Sequence, residues 1–375
     1  MEKILVTGGA GFIGSHTADA LIERGYQVRI MDSLQPRVHP NGKPAYLNPK
    51  AEFFRGDVTS RADWQTALEG IDAVFHFAAY QDYLPDFSTF LQVNAAGMAL
   101  LLEILAAGPR RVRKIVHASS QAVAGEGRYH CDKDGVVLPG PRSLAQLERG
   151  LWDVACPACG AGLRQPLLID ESVASAHTAY GIAKHAAELL AERLGRKYEI
   201  PTVGMRYTYV QGPRNAFHNF YSGVCRKFAV GIHNGTAPVV YEDGRQLRDY
   251  VNVFDVVEAN LLVLESTQAD YGIFNVGGGA AITVLEFARL MLEAMNSPLE
   301  PSVPGIFRVG DTRHTISDIS KISRLGWKPR RPVARSIEQF LSWFYAQPDI
   351  PRGQEFEQAE QTLFAAGVLQ RPPRR

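Results

Sequence analysis

Tyr180 and Lys184 stand four residues apart in Tyr180-Gly-Ile-Ala-Lys184, at the head of a segment with helical periodicity. That spacing puts both side chains on one face, about one turn apart. A phenol is a poor base at neutral pH, but a neighbouring ammonium stabilises its phenolate and draws the pKa toward the working range. The pair therefore makes a general base for a hydroxyl proton. Alone, this spacing recurs by chance in many helices. It gains weight because Ser119-Ser120 closes a strand-like run upstream, where a hydroxyl can bond a substrate oxygen as it passes between alcohol and ketone.

The second cluster is of cysteines. Of the four in the chain, Cys131, Cys156 and Cys159 fall within one 29-residue stretch. Cys156-Pro-Ala-Cys159-Gly160 has the form of a zinc knuckle, and Cys131-Asp-Lys-Asp134-Gly135 repeats its frame with a carboxylate in place of the second thiolate. Together they make a Cys3Asp site for a structural Zn2+, with His130 as the other candidate fourth ligand. The competing readings are a degenerate ribbon without metal and a redox pair, the latter lacking a thioredoxin-like helix start. Arg128, Arg142, Arg149 and Arg164 are interspersed with acids, so the segment gives no support to a nucleic-acid role. Cys225 stands apart in a helical pattern and reads as a small buried residue.

The elements that must position these groups begin with a strand, Ile4 to Thr7, running into Gly8-Gly9-Ala10-Gly11-Phe12-Ile13-Gly14. Glycines there permit a tight turn and close backbone approach, so a pyrophosphate can sit on the N-terminus of the next helix. The second strand ends at Asp32, 18 residues after Gly14. Its carboxylate suits two ribose hydroxyls and repels a 2′-phosphate, which favours NAD over NADP. Asp57, ending a third strand, is placed for an adenine edge. Asn94, opening a later helix, reads either as an ordinary cap or as a residue that orders the site. Strand-like and helical runs alternate over the first 120 residues, which means parallel strands with helical crossovers, a doubly wound α/β sheet. Between Arg128 and Gln165 that periodicity stops, as in an insertion. A helix over Ala179 to Tyr198, a strand over Thr202 to Tyr207 and helices near 216–230, 255–266 and 283–296 follow, the last three in a smaller lobe.

Composition bounds the rest. With 46% hydrophobic and 21% charged residues, the 375-residue chain is globular rather than disordered or fibrous. A formal charge of +1 provides no global field for nucleic acid or an anionic membrane. The run Ala95 to Gly108 is broken by Glu103 and is short for a membrane span, and the first residues lack a signal-peptide pattern. The expectation is a cytoplasmic protein with no membrane segment.

These motifs, in this order, resemble the extended short-chain dehydrogenase/reductase superfamily, in particular its NAD-dependent nucleotide-sugar epimerases and dehydratases. The matching stretches are Thr7 to Gly14, Asp32, Gly56-Asp57-Val58, His76-Phe77-Ala78-Ala79, Val93-Asn94, Ser119-Ser120, Tyr180 to Lys184, Arg206 to Arg214, Glu242 to Asp255 and Arg308 to Arg313. The resemblance implies a Rossmann NAD-binding domain over 1–205, interrupted by a zinc-ribbon-like insertion at 128–165. A nucleotide-sugar lobe would fill most of 206–345, with part of 237–265 returning to the sheet. Residues 346–375 would form a polar tail, loosely held. NAD would contact Gly8, Gly11, Phe12, Ile13, Gly14, Asp32, Asp57, Val58, Phe77, Ala78, Ala79, Asn94, Ser119, Tyr180 and Lys184. A nucleoside diphosphate sugar would meet Gln81, Ser120, Tyr209, Arg214, Arg248 and Arg308. Catalysis would fall to Tyr180, Lys184 and Ser120.

Departures from the family pattern select among its reactions. Sugar 4,6-dehydratases carry an Asp-Glu pair where this chain has Gln121 and Ala122, so dehydration is disfavoured. A reductase commonly uses NADPH, which Asp32 opposes. Val123-Ala124-Gly125 and Tyr209 replace a usual Tyr and Asn in the sugar pocket. A 4-epimerase, which oxidises and re-reduces one carbon with bound NAD, fits best, with a decarboxylase or oxidoreductase of the same superfamily as alternative. A non-catalytic dinucleotide sensor is the reading from another class. Comparable cysteine-bearing insertions occur in a branch resembling dTDP-L-rhamnose 4-epimerases, which points to a deoxysugar nucleotide. The family also implies a homodimer through helices near 95–107 and 180–197.

Overall fold

Short aliphatic runs supply the central strands. We name five of them β1 (Lys3–Thr7), β2 (Gln27–Asp32), β3 (Glu52–Arg55), β4 (Ala73–His76) and β5 (Lys114–Ser120). In the computed structural model, which describes residues 1–108, 112–216 and 223–373 apart from the side chains of 353–356, they join Thr202–Tyr207 and Ile273–Val276 in one seven-stranded parallel sheet. From one edge the order is Ile273–Val276, Thr202–Tyr207, β5, β4, β1, β2, β3. The direction of winding reverses between β1 and β4, and in such sheets ligands bind beyond the carboxyl ends of the strands at that point.

Alternation along β1 builds two cores. Ile4 and Val6 pack with Leu21 and with Val256 and Val263, whereas Leu5 packs with Trp64, Met98, Leu101 and Ala187. The first group brings α1 (Phe12–Glu23) and the helix Val253–Glu265 onto one face. The second brings Arg61–Ala67, Gly97–Ala107 and Ala179–Lys197 onto the other. The chain completes the sheet at Ile273–Val276, outside 237–265, and what that segment adds to the layer is the helix Val253–Glu265. The stretch Phe87–Ala107 is helical, long and apolar enough to cross a membrane, yet Met98, Leu101, Leu102 and Leu105 are buried against the sheet. It includes a π-helical turn, Leu91–Ala96.

The smaller lobe carries a three-stranded sheet of Tyr209–Gln211, Leu247–Asn252 and Ala281–Thr283. Around its apolar core pack the helices Val224–His233, Val284–Ala294 and Val333–Tyr345. The helix expected near 216–230 is Val224–His233, begun at Gly223; residues 217–222 of that expectation lie outside the described residues. The cysteine segment holds an antiparallel sheet of Arg128–Cys131, Gly135–Val137 and Gln165–Leu167, with a hairpin of Val154–Ala155 and Gly162–Leu163.

The end of the chain departs from the expected loose tail. Gly353–Ala365 is a helix, and Leu369–Gln370 pairs with Phe307–Arg308 as a short antiparallel ladder. Ile306, Leu363 and Leu369 form a buried cluster there. The polar composition of 346–375 concealed this, because a few apolar residues on one helix face are enough to dock it.

Candidate active site

At the switch point, β1 ends at Thr7 and the glycine loop turns into α1. Gly8 has φ +65°, and a Cβ on it would lie 2.7 Å from the Ala78 nitrogen. A Cβ at Gly14 would meet the Gly8 carbonyl oxygen at 2.3 Å. Only glycine allows this approach of loop, helix and β4. The N-cap, Gly11, has no side chain to satisfy the first turn, so the open N–H groups and the dipole favour a bound anion. Asp32 is fixed at the end of β2: its Oδ2 accepts from the Ala10 N–H (3.0 Å) and its Oδ1 from the Leu34 N–H (2.9 Å). A pyrophosphate cradle and a set carboxylate in that relation fit NAD.

From this loop a cleft of about 510 Å³ runs across the carboxyl ends of the strands into the smaller lobe. Of the residues singled out for cofactor and substrate, Gly8, Gly11, Phe12, Ile13, Gly14, Asp32, Asp57, Val58, Phe77, Ala78, Ala79, Gln81, Ser119, Ser120, Tyr180, Lys184, Tyr209, Arg214, Arg248 and Arg308 all line it. Asn94 does not. Its amide turns back on the Tyr80 backbone, accepting from the N–H and donating to the carbonyl, both at 2.9 Å. That holds the loop after β4 rather than a ligand. Asp57 likewise spends one oxygen on the N–H and hydroxyl of Thr59.

The helix Ala179–Lys197 starts at Thr178, whose hydroxyl accepts from the Gly181 N–H at 3.0 Å. It projects Tyr180, Lys184 and Glu188 at successive turns. The Lys184 ammonium lies 5.8 Å from the centre of the Tyr180 ring and donates to the Ala118 carbonyl (2.9 Å), at the end of β5. Burial pushes the Tyr180 phenol up to about 12, and the Ser120 hydroxyl, bonded to it, opposes that rise. Burial lowers Lys184 to about 8, with Glu188 pulling the other way. Burial sets the direction for the phenol, upward, where the spacing alone leads to the expectation of a lowered one.

Sequence reasoning missed what lies beneath. Glu188 and Arg206 are both buried and form a two-pronged ion pair at 2.7 Å, and the Ser119 hydroxyl also donates to Glu188. The carboxylate at the third position of the four-residue series was the available signal.

On the other wall, Arg248 and Arg308 enter the cleft at the junction of the two lobes. Arg248 donates to the carbonyls of Leu247, Thr312 and Arg313 at 2.9–3.0 Å, and its guanidinium stands 5.4 Å from the Tyr209 ring centre. Arg308 lies 3.6 Å over the Tyr83 ring, with Asp311 at 3.7 Å and its own Nε unpaired among the described residues. Arg214 sits elsewhere, at φ +62°, donating to Asp19 of α1 (2.6 Å) beside Tyr46, on the glycine-loop side.

Away from the cleft, the sulfurs of Cys131, Cys156 and Cys159 and a carboxylate oxygen of Asp134 all lie within 4.8 Å of one another. Cys131 and Cys156 donate to the same Asp134 oxygen at 3.3 and 3.1 Å. Four soft and hard anionic donors converging this closely suit a tetrahedral cation. His130 is not among them; it alternates to the opposite, exposed face of its strand.

Fold and cleft together define a dinucleotide-dependent enzyme, and the chain belongs to the NAD dependent epimerase/dehydratase family, whose pattern it matches over residues 4–142 and 156–277. The break falls within the cysteine segment. Among curated relatives, the dTDP-L-rhamnose 4-epimerase of Burkholderia thailandensis is 32% identical over 356 residues, covering 93% of this chain and 96% of that one. A putative UDP-glucose 4-epimerase of Methanocaldococcus jannaschii is 30% identical over 346 residues, covering 91% and 97%. The crystal structure of the UDP-glucose 4-epimerase of Thermotoga maritima with UDP-glucose superimposes with a TM-score of 0.75 at 29% identity, covering 92% and 98%. That of the Thermus thermophilus enzyme with NAD gives 0.70 at 27% identity, covering 92% and 99%.

Proposed function

We propose that the protein is a nucleotide-sugar 4-epimerase that keeps its NAD through the cycle. The observation that carries this reading is the single cleft that joins the glycine loop, Tyr180 with Ser120, and the arginines Arg248 and Arg308. NAD would be held by the first turn of α1, by Asp32 and by Lys184. Bound there, it supplies the hydride acceptor and donor, and its nicotinium charge favours the phenolate. Tyr180 takes the proton from the sugar 4-hydroxyl and later returns it, while Ser120 bonds the same oxygen. Arg248 and Arg308 hold the diphosphate. Return of hydride to the opposite face of the 4-ketone needs no net oxidant. Gln121 and Ala122 offer no carboxyl pair for elimination, which argues against the dehydratases also found among the relatives.

The test is incubation of the purified protein with UDP- and dTDP-sugars without added cofactor. Interconversion of 4-epimers at constant NADH is expected. Tyr180→Phe should reduce it by about 10²–10⁴-fold, the usual worth of a positioned acid–base group, with NAD still bound. Loss of CO2 or net change in NADH would favour the decarboxylase or oxidoreductase alternative, and an unaltered Tyr180→Phe protein would favour the sensor. The similarity to the Burkholderia protein supports a deoxysugar nucleotide.

Cys131, Asp134, Cys156 and Cys159 are proposed to hold structural Zn2+, supported by their convergence. Metal analysis should find about one zinc per chain; a Cys156→Ser protein that keeps its metal would sink the assignment. A homodimer is proposed through Gly97–Ala107 and Ala179–Lys197, supported by the exposed Ile182 and Leu189. A monomeric mass in light scattering would count against it. A cytoplasmic location is proposed, in keeping with only four cysteines in 375 residues.

A further inference from the structure

A series of contacts leads along the cleft away from the catalytic phenol. Tyr83, which lines the cleft with Tyr180, lies under the Arg308 guanidinium. Arg308 is also near Tyr241, 5.6 Å from its ring centre. Beyond, the Lys227 ammonium donates to the Tyr241 hydroxyl and to Glu360, both at 2.9 Å. Lys227 comes from the lobe helix Val224–His233 and Glu360 from the C-terminal helix Gly353–Ala365. Tyr241, Lys227, Glu360 and Leu363 all line the cleft.

The C-terminal segment is therefore a wall of the site. Its apolar side seats on Tyr83, Val239 and Tyr241, and its last strand pairs Leu369 with Arg308 itself. A diphosphate held at Arg308 has two substituents. If the sugar points to Tyr180, as the proposed function requires, the nucleoside must extend toward Tyr241, Lys227 and Glu360. What it meets there is an aromatic ring, an aliphatic side chain, a cationic donor and an anionic acceptor. A flat base with a polar edge has the matching chemistry: a face for the ring and an edge of acceptors and donors for the ion pair.

We infer that Lys227 and Glu360 are specificity-determining residues for the nucleoside of the substrate, and that the C-terminal helix is present in the site to deliver Glu360. This rests on the nucleotide-sugar reading of the cleft but not on the reaction carried out there. The ammonium and carboxylate bond each other at the cleft wall, and each keeps capacity for a further hydrogen bond to the polar edge of a base.

Calorimetric titration of the full-length protein with UDP, dTDP, ADP and inorganic pyrophosphate tests it without any turnover. Glu360→Ala and Lys227→Met should each weaken the preferred nucleoside diphosphate about tenfold, the effect of losing one charge-assisted hydrogen bond. Pyrophosphate, which reads the arginines alone, should bind unchanged. Glu360→Gln, whose amide both donates and accepts, should narrow the difference between UDP and ADP. The inference is overturned if nucleoside diphosphate affinity is unchanged in these variants, or if pyrophosphate weakens in parallel, which would mean that the segment only braces Arg308. Failure of the 4-epimerase reading is separately visible, as intact nucleotide binding with no sugar interconversion.

Discussion

Glu188 does two things at once, and they can be separated. Its carboxylate neutralises the buried Arg206 and opposes the burial that draws Lys184 down to about 8. Glu188→Gln should leave Arg206 charged and unpaired, costing about 3 kcal/mol or more in urea unfolding. It should also lower Lys184 further, so that less of the ammonium survives at neutral pH and the alkaline limb of kcat/KM moves to lower pH. An unshifted profile would show that Lys184 does not sense Glu188. The Tyr180 and Lys184 pair was legible because its four-residue spacing has a chemical use. Glu188 continues that spacing, but a third charge on a helix usually faces water, and only the position of Arg206 on the next strand shows that this one does not. Asn94 had the right type and place for a ligand; the bond its amide makes to Tyr80 depends on the π-helical turn, which no periodicity announces.

At the scale of elements, Arg142 is one of the ties between the cysteine segment and the smaller lobe, beside the Asp153–Arg313 pair and the contact of Trp152 with Phe307. The buried Arg142 side chain donates to the carbonyls of Trp152 (3.0 Å) and Asp311 (2.8 Å) and pairs with Glu242 (2.8 Å). Glu126, in the same cluster, is raised to about 7 by burial. Asp311 is the residue beside Arg248 and Arg308. Arg142→Met should therefore raise KM for a nucleotide sugar by about tenfold, with kcat and NAD affinity little changed, since the lost bonds orient the arginines and touch no reacting atom. An unaltered KM would detach the insertion from the site. The doubly wound sheet was readable from alternating strands and helices, and the insertion from their interruption. Its docking was not, because Arg142, Asp153, Trp152 and Tyr129 look no different from their neighbours until the fold sets them against Asp311, Arg313, Phe307 and His314.

For the whole molecule, pH is the lever. Burial lowers His16 and His117 to about 4 and His76 and His314 to about 3. All four are neutral when folded at pH 5.5, whereas in the unfolded chain each takes up a proton below about 6.5. The unfolded state then binds more protons, so stability holds above pH 6.5 and falls as the pH drops from there toward 4. The loss is on the order of 1 kcal/mol per pH unit for each histidine. Urea midpoints at pH 7.5 and 5.5 measure this; equal midpoints would contradict it. The near-zero net charge said nothing of these groups, which count as uncharged in it. The topology of the cysteine segment has a further consequence. Its first and last strands are neighbours, Arg128 opposite Leu167, so the chain leaves the Rossmann body and rejoins it at one place. Such a module can be gained, exchanged or shed in evolution without rethreading the sheet. Arg142 is one of the ties that make its departure felt, so a lineage that discarded the module would have to find another support for Asp311.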